Sequence, residues 1–102
     1  MPKIKLTTGE IEYTFDVHPI DSELPETGGL YTVLKLNPDG KYGVLYIGRT
    51  NSFKTRHSDH HKAECFSENG ATHIGLHHLE NNSKRVLVEY LLQQNYKLVC
   101  EG

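Results

Sequence analysis

The sequence predicts a small α+β domain: a central antiparallel three-stranded sheet flanked by helices, with an N-terminal β-hairpin extension in front of it. Three observations lead there. Apolar residues alternate with period two in residues 3–17, 30–36, 43–48 and 72–78, each run bounded by turn residues. Residues 83–95 instead carry their apolar side chains at helical spacing. A chain of 102 residues suits one modest core. Residues 1–27 read as the hairpin extension and its linker, and residues 28–102 as the main domain.

Taken in order, "KIKLTTGEIEYTFDV" (3–17) places two alternating runs around Thr8, Gly9 and Glu10, which predicts two strands and a tight turn. "HPIDSELPETGG" (18–29) is rich in Pro, Gly and acids and reads as linker. "LYTVLKL" (30–36) and "GVLYIG" (43–48) flank "NPDGKY", whose Pro38, Asp39 and Gly40 supply turn chemistry, so they pair antiparallel. Strand alternation puts Leu30, Leu34 and Leu36 on one face, and Leu45 and Ile47 on one face of the partner strand. Tyr31 and Tyr46 fall opposite those aliphatic sets and share a surface if the hairpin pairs in register. Ser52 is suited to cap a helix reaching Ala63 or Glu64 that has little to bury besides Phe53 and Ala63. "FSENGA" (66–71) reads as a loop and "THIGLHH" (72–78) as a third strand. The last helix starts from Asn82 or Ser83, with an apolar arc of Leu87, Val88, Leu91 and Leu92 and with Glu89 at its edge beside Arg85. "YKLVCEG" (96–102) adds a short strand or runs along the surface.

The net charge of −2 argues against coating nucleic acid by bulk electrostatics. Charge is nonetheless segregated: between Arg49 and Lys62 four Lys or Arg stand against Asp59 alone, while acids gather in the first 26 residues. That suggests one face built to meet an anion. Two cysteines, Cys65 and Cys100, without a leader or a spanning apolar run, suit a reduced, cytoplasmic compartment and free thiols, and no membrane.

"GLY" (29–31), "LYIG" (45–48), Arg56, His60 and Glu89 together resemble the GIY-YIG nuclease family over roughly residues 28–101. The arginine stands eight residues after Gly48 and the histidine four further on, and "RTNSFKTRHSDHHKAECF" (49–66) is similar to small stand-alone members. Each tripeptide alone is common; order and spacing carry the resemblance. It implies an enzyme that hydrolyses phosphodiester bonds in nucleic acid, DNA ahead of RNA, with one divalent ion, Mg2+ or Mn2+, held by Glu89. Such an ion retains its waters and needs few protein ligands. Arg56 would clamp the scissile phosphate with its planar fork. Tyr31, helped by Tyr46 and His60, would activate water, yet a phenol with a pKa near 10 is a poor base at neutral pH unless nearby cations favour the phenolate. Arg49, Lys54, His57, His61 and Lys62 would neutralise flanking phosphates without reading bases. No separate specificity module fits, so substrate shape, a homodimer or a partner protein would supply any selectivity.

One departure stands out: Glu101 lies where the family carries an asparagine. It motivates a second reading, a catalytically idle module of the same fold that holds nucleic acid or a partner. A third is a zinc site built from His57, His60, His61 and Cys65. Plain structural readings compete residue by residue. The tyrosines are ordinary strand residues, and Glu89 has an ion-pair partner available in Arg85, worth under about 1 kcal/mol at a surface. His73, His77 and His78 read as packing or surface residues. Gly29 and Gly48 read as places of close backbone approach.

Overall fold

The computed structural model of the chain describes residues 2–58 and 62–100; of His57 and Ser58 only the backbone is described. Among the described residues, five strands and three helices follow in the order β1 (Lys3–Thr8), β2 (Ile11–Pro19), β3 (Gly29–Leu36), β4 (Tyr42–Thr50), α1 (Phe53–Ser58), α2 (Ala63–Glu68), β5 (His73–His78) and α3 (Asn82–Asn95). All strands join one antiparallel sheet in the order β1-β2-β5-β3-β4. The α+β class therefore holds, but the sheet has five strands rather than three: β2 pairs with β5, and the hairpin continues the central sheet.

The two hairpin turns form as their residues dictate. Gly9 and Gly40 take positive φ (60° and 85°), which a side chain disfavours. Adjacent residues on β3 point to opposite faces, and both faces are buried. Leu30 joins Leu6, Phe15 and Ile47 beneath Val88 and Leu92 of α3. Tyr31 and Val33 join Ile74 and Leu76 beneath Phe53 of α1, Phe66 and the linker residue Leu24.

β4 departs from simple alternation. Val33 pairs with Tyr46 and Leu34 with Val44, which leaves Leu45 as a one-residue bulge. Leu45 consequently packs with the Tyr31 cluster and Ile47 with the Leu30 cluster, so the expectation that they share a face is corrected. The Leu45 carbonyl accepts from the Cys100 backbone N–H at 2.9 Å.

Three helix expectations are revised. In place of one helix over 52–64 there are two short ones. The second runs through residues 66–68, read as loop, because Phe66 is an apolar anchor that reaches the ring of Tyr46 at 5.7 Å. Asn81 caps α3, accepting from the Lys84 N–H at 3.0 Å. On α3 the buried stripe is Arg85, Val88 and Leu92, while Leu87 is 57% exposed.

Cys65 and Cys100 form a disulfide, with Cα atoms 5.8 Å apart, so free thiols are not what the fold holds. The bridge fixes the C-terminal segment, which forms no strand among its described residues, against α2. Disulfides persist in oxidising compartments, and a cytoplasmic placement drawn from the cysteine count loses its basis. Among the described residues no helix is long and apolar enough to cross a membrane.

Mass spectrometry after alkylation without reductant is expected to leave both cysteines unlabelled. Cys100→Ser is expected to lower stability by about 2–4 kcal/mol, the usual effect of opening a loop of this size, read from denaturant midpoints.

Candidate active site

The site forms where the first halves of α1 and β3 meet the end of β4. The bulge sets Gly48 opposite Tyr31 across the β3–β4 ladder. The Tyr31 ring folds over that glycine: a Cβ on Gly48 would lie 2.6 Å from the phenol oxygen. Gly29 is needed for a related reason, since a Cβ there would run into the His77 carbonyl of β5. The Tyr46 ring stands 6.0 Å from that of Tyr31, tilted by 39°. Both tyrosines thus share one surface, as the sequence suggests, although the bulge rather than simple register brings them there.

α1 begins because its first N–H groups find partners. Phe53 N donates to the Thr27 carbonyl and Lys54 N to that of Pro25, both at 3.0 Å, and Thr55 N points at the Ser52 hydroxyl at 3.4 Å. One turn later half-buried Arg56 stands between two hollows. On one side is an apolar cavity of about 280 Å³ lined by Tyr31, Phe53, Phe66 and Ile74. On the other is a polar basin of about 560 Å³ at the start of α1 and of α3.

Glu89 approaches from α3, and its Oε1 lies 3.3 Å from Nε of Arg49. Arg49, expected as a free phosphate contact, is therefore the carboxylate's partner, and the competing pair with Arg85 does not form. Arg85 turns inward instead. Its Nη1 donates to Asn51 Oδ1 at 2.8 Å and its Nε to the Leu79 carbonyl. Its spacing was a usable signal, because positions 85, 88 and 92 lie along one helical stripe.

The charges act on one another. Burial pushes the Tyr31 phenol well above its ordinary value, Tyr46 and Glu89 add to this, and Arg56 opposes it. Tyr46 is raised for the same reasons, by burial first and Glu89 next, against Arg56. The cations near Tyr31 thus do not make it a phenolate in the free protein. Burial also raises Glu89, with Arg49 pulling it back.

Among the other candidates, Lys54 lies 3.8 Å from Glu26 in an exposed pair, and Lys62 precedes α2. His57 belongs to α1, and its side chain lies outside what is described, as do His60, His61 and Glu101 altogether. Cys65 is closed to zinc by its disulfide. The β5 histidines engage neighbours: His77 packs on Tyr13 and Phe15 and bonds the Thr14 carbonyl, His78 meets Thr27 and Phe53, and His73 meets Tyr42. Among the described residues no three of His, Cys, Asp or Glu stand together as a ligand group. No protein-family model matches the chain, and neither a curated protein nor a solved structure matches it.

Gly48→Ala must displace the Tyr31 ring, with a cost of about 1–3 kcal/mol expected from overpacking and a changed near-ultraviolet tyrosine signal in circular dichroism. Glu89 gives a pH signature. Its folded pKa is raised, so the folded state holds the proton longer, and stability falls as pH rises from the ordinary glutamate value through the raised one. Glu89→Gln removes that term, so its melting temperature should gain on wild type as pH rises through this window. Parallel melting curves would contradict it.

Proposed function

We propose that the chain is a divalent-metal-dependent endonuclease of GIY-YIG type that hydrolyses phosphodiester bonds in DNA. The observation that carries this reading is the convergence of two phenols, a guanidinium and a carboxylate from β3, β4, α1 and α3, close enough for Arg56 and Glu89 to bias both phenols. Packing alone has no use for a guanidinium and a carboxylate that act on two phenols.

Each group has work that fits its chemistry. Arg56, half-buried between cavity and basin, would clamp the scissile phosphate in its planar fork and offset charge in the transition state. Tyr31 retains its proton in the free protein, so its hydroxyl would orient the attacking water. Tyr46, also protonated, would help hold that water, and the proton the water loses would pass to His60, the remaining base named from the sequence. Glu89, partly withdrawn from water and with no second ligand carboxylate beside it among the described residues, suits Mg2+ or Mn2+, which keep most of their waters, better than zinc, which wants three or four protein ligands. When bound there, such an ion would supply Lewis-acid stabilisation of the departing 3′ oxygen. Arg49 must yield Glu89 for this, and it is then available to a flanking phosphate, with Lys54, Lys62, His57 and His61. One site per chain cuts one strand, so a double cut takes sequential nicking or a second copy.

The grip of Arg49 on Glu89 favours a second reading, an idle module that holds nucleic acid without cutting it.

Cleavage assays on supercoiled, linear, branched and single-stranded DNA and on RNA, with Mg2+ or Mn2+, separate the two. Metal-dependent cutting of DNA is expected, reduced by about a hundredfold or more in Arg56→Ala and in Glu89→Ala with the fold intact by circular dichroism. Cutting that survives both substitutions would overturn the nuclease reading. Salt-sensitive binding without cutting on any substrate would establish the idle module.

A further inference from the structure

Arg85 is the feature that the nuclease reading leaves unused. It is 8% exposed, and a guanidinium remains charged wherever it is placed. Its acceptors, the Asn51 side-chain amide and the Leu79 carbonyl, are both neutral. Among the described residues no carboxylate lies within salt-bridge distance of it. A buried charge met only by neutral dipoles is costly, and an anion within reach offsets that cost.

The polar basin beside it is fitted to such an anion. Arg85 lines it with Arg49, Arg56, Ser52 and Asn82, and none of the described lining residues is acidic. Arg49 is already matched by Glu89, which leaves Arg56 on one wall and Arg85 on another. Thr50 and Ser52 fix the loop between β4 and α1 by their own bonds, with Thr50 Oγ1 donating to the Ser52 carbonyl at 3.0 Å. Gly28 lets the chain pack close against Arg85: a Cβ there would come 2.8 Å from its Nη2.

We propose that this basin is a phosphate-binding subsite in which the Arg85 guanidinium, seated against Asn51 and Leu79, holds an oxyanion separate from the one assigned to Arg56. The site requires neither metal nor hydrolysis. The oxyanion comes either from a neighbouring phosphodiester of a bound strand, which rests on the nuclease reading, or from a free phosphate group, which does not.

The test is a titration of 15N-labelled protein, with chelator present, using inorganic phosphate in one arm and a short single-stranded DNA in the other. Saturable shifts at Ser52, Asn82 and Arg85 are expected, weakened about tenfold or more in Arg85→Met. Asn82→Asp is the companion variant. A carboxylate in the first turn of α3 favours the helix, so the fold is kept, while the same charge at the basin opposes an oxyanion. Shifts in both arms identify a strand phosphate, and shifts with inorganic phosphate alone identify a free one. No saturable shift, or equal affinity in wild type and Asn82→Asp, overturns the subsite whatever the cleavage assay shows.

Discussion

Leu45 has no partner in the β3–β4 ladder, and that single unpaired residue decides which side of the sheet the rest of β4 faces. Counted from the hairpin turn without the bulge, Ile47 would stand opposite Tyr31, and Tyr46 would turn towards α3 with Leu30. With it, Tyr46 pairs with Val33 and enters the Tyr31 face, Ile47 returns to the α3 core, and Gly48 arrives where the Tyr31 ring needs space. A one-residue shift in a structure of period two exchanges its faces. The clustering of two phenols, Arg56 and Glu89 thus depends on a local irregularity in an edge strand.

An edge strand is open to wrong pairing, and a bulge leaves a carbonyl to satisfy. Two distant segments meet both needs. Cys100 N donates to the Leu45 carbonyl, and Gln93 of α3 donates to the Ile47 carbonyl at 2.7 Å. The Cys65–Cys100 bridge then ties the first of these contacts to α2, whose Phe66 packs on Tyr46. The disulfide is therefore connected to the candidate site through two contacts, the bulge carbonyl and the Phe66 ring. Its loss would loosen the position of Tyr46 as well as the C-terminus.

Strand runs, turns and the last helix were legible in the sequence because period two, Gly9, Gly40 and the residues of α3 are local signals. The bulge was not, since nothing in "GVLYIG" marks Leu45 as the extra residue. The bridge was not, since it joins residues 35 apart through a segment without periodicity. The union of the hairpin with β5 depends on a long-range pairing for which alternation gives no partner. At the site, Tyr31, Tyr46, Arg56 and Glu89 were singled out by the resemblance of their motifs to a known family, whereas the partners of the charges could not be. Arg49 and Arg85 exchange a partner: the Glu89 pairing that helix spacing offers Arg85 falls to Arg49, because Glu89 leans towards the end of β4 while Arg85 follows Val88 and Leu92 into the interior.

That exchange explains how an acidic chain sustains a local cationic face. The arginines converging near the start of α1 are held in three different states. Arg49 is balanced by a carboxylate, Arg56 is half-buried between an apolar cavity and a polar basin, and Arg85 is fixed by neutral amides. Because Arg85 is seated by bonds to Asn51 and Leu79, little of its orientation remains to be frozen when an anion arrives. The same geometry keeps both phenols protonated, since burial, joined by Glu89 and for Tyr31 by Tyr46, outweighs Arg56. Positive charge thus gathers at the basin, while burial holds the protons on the phenol cluster a few side chains away.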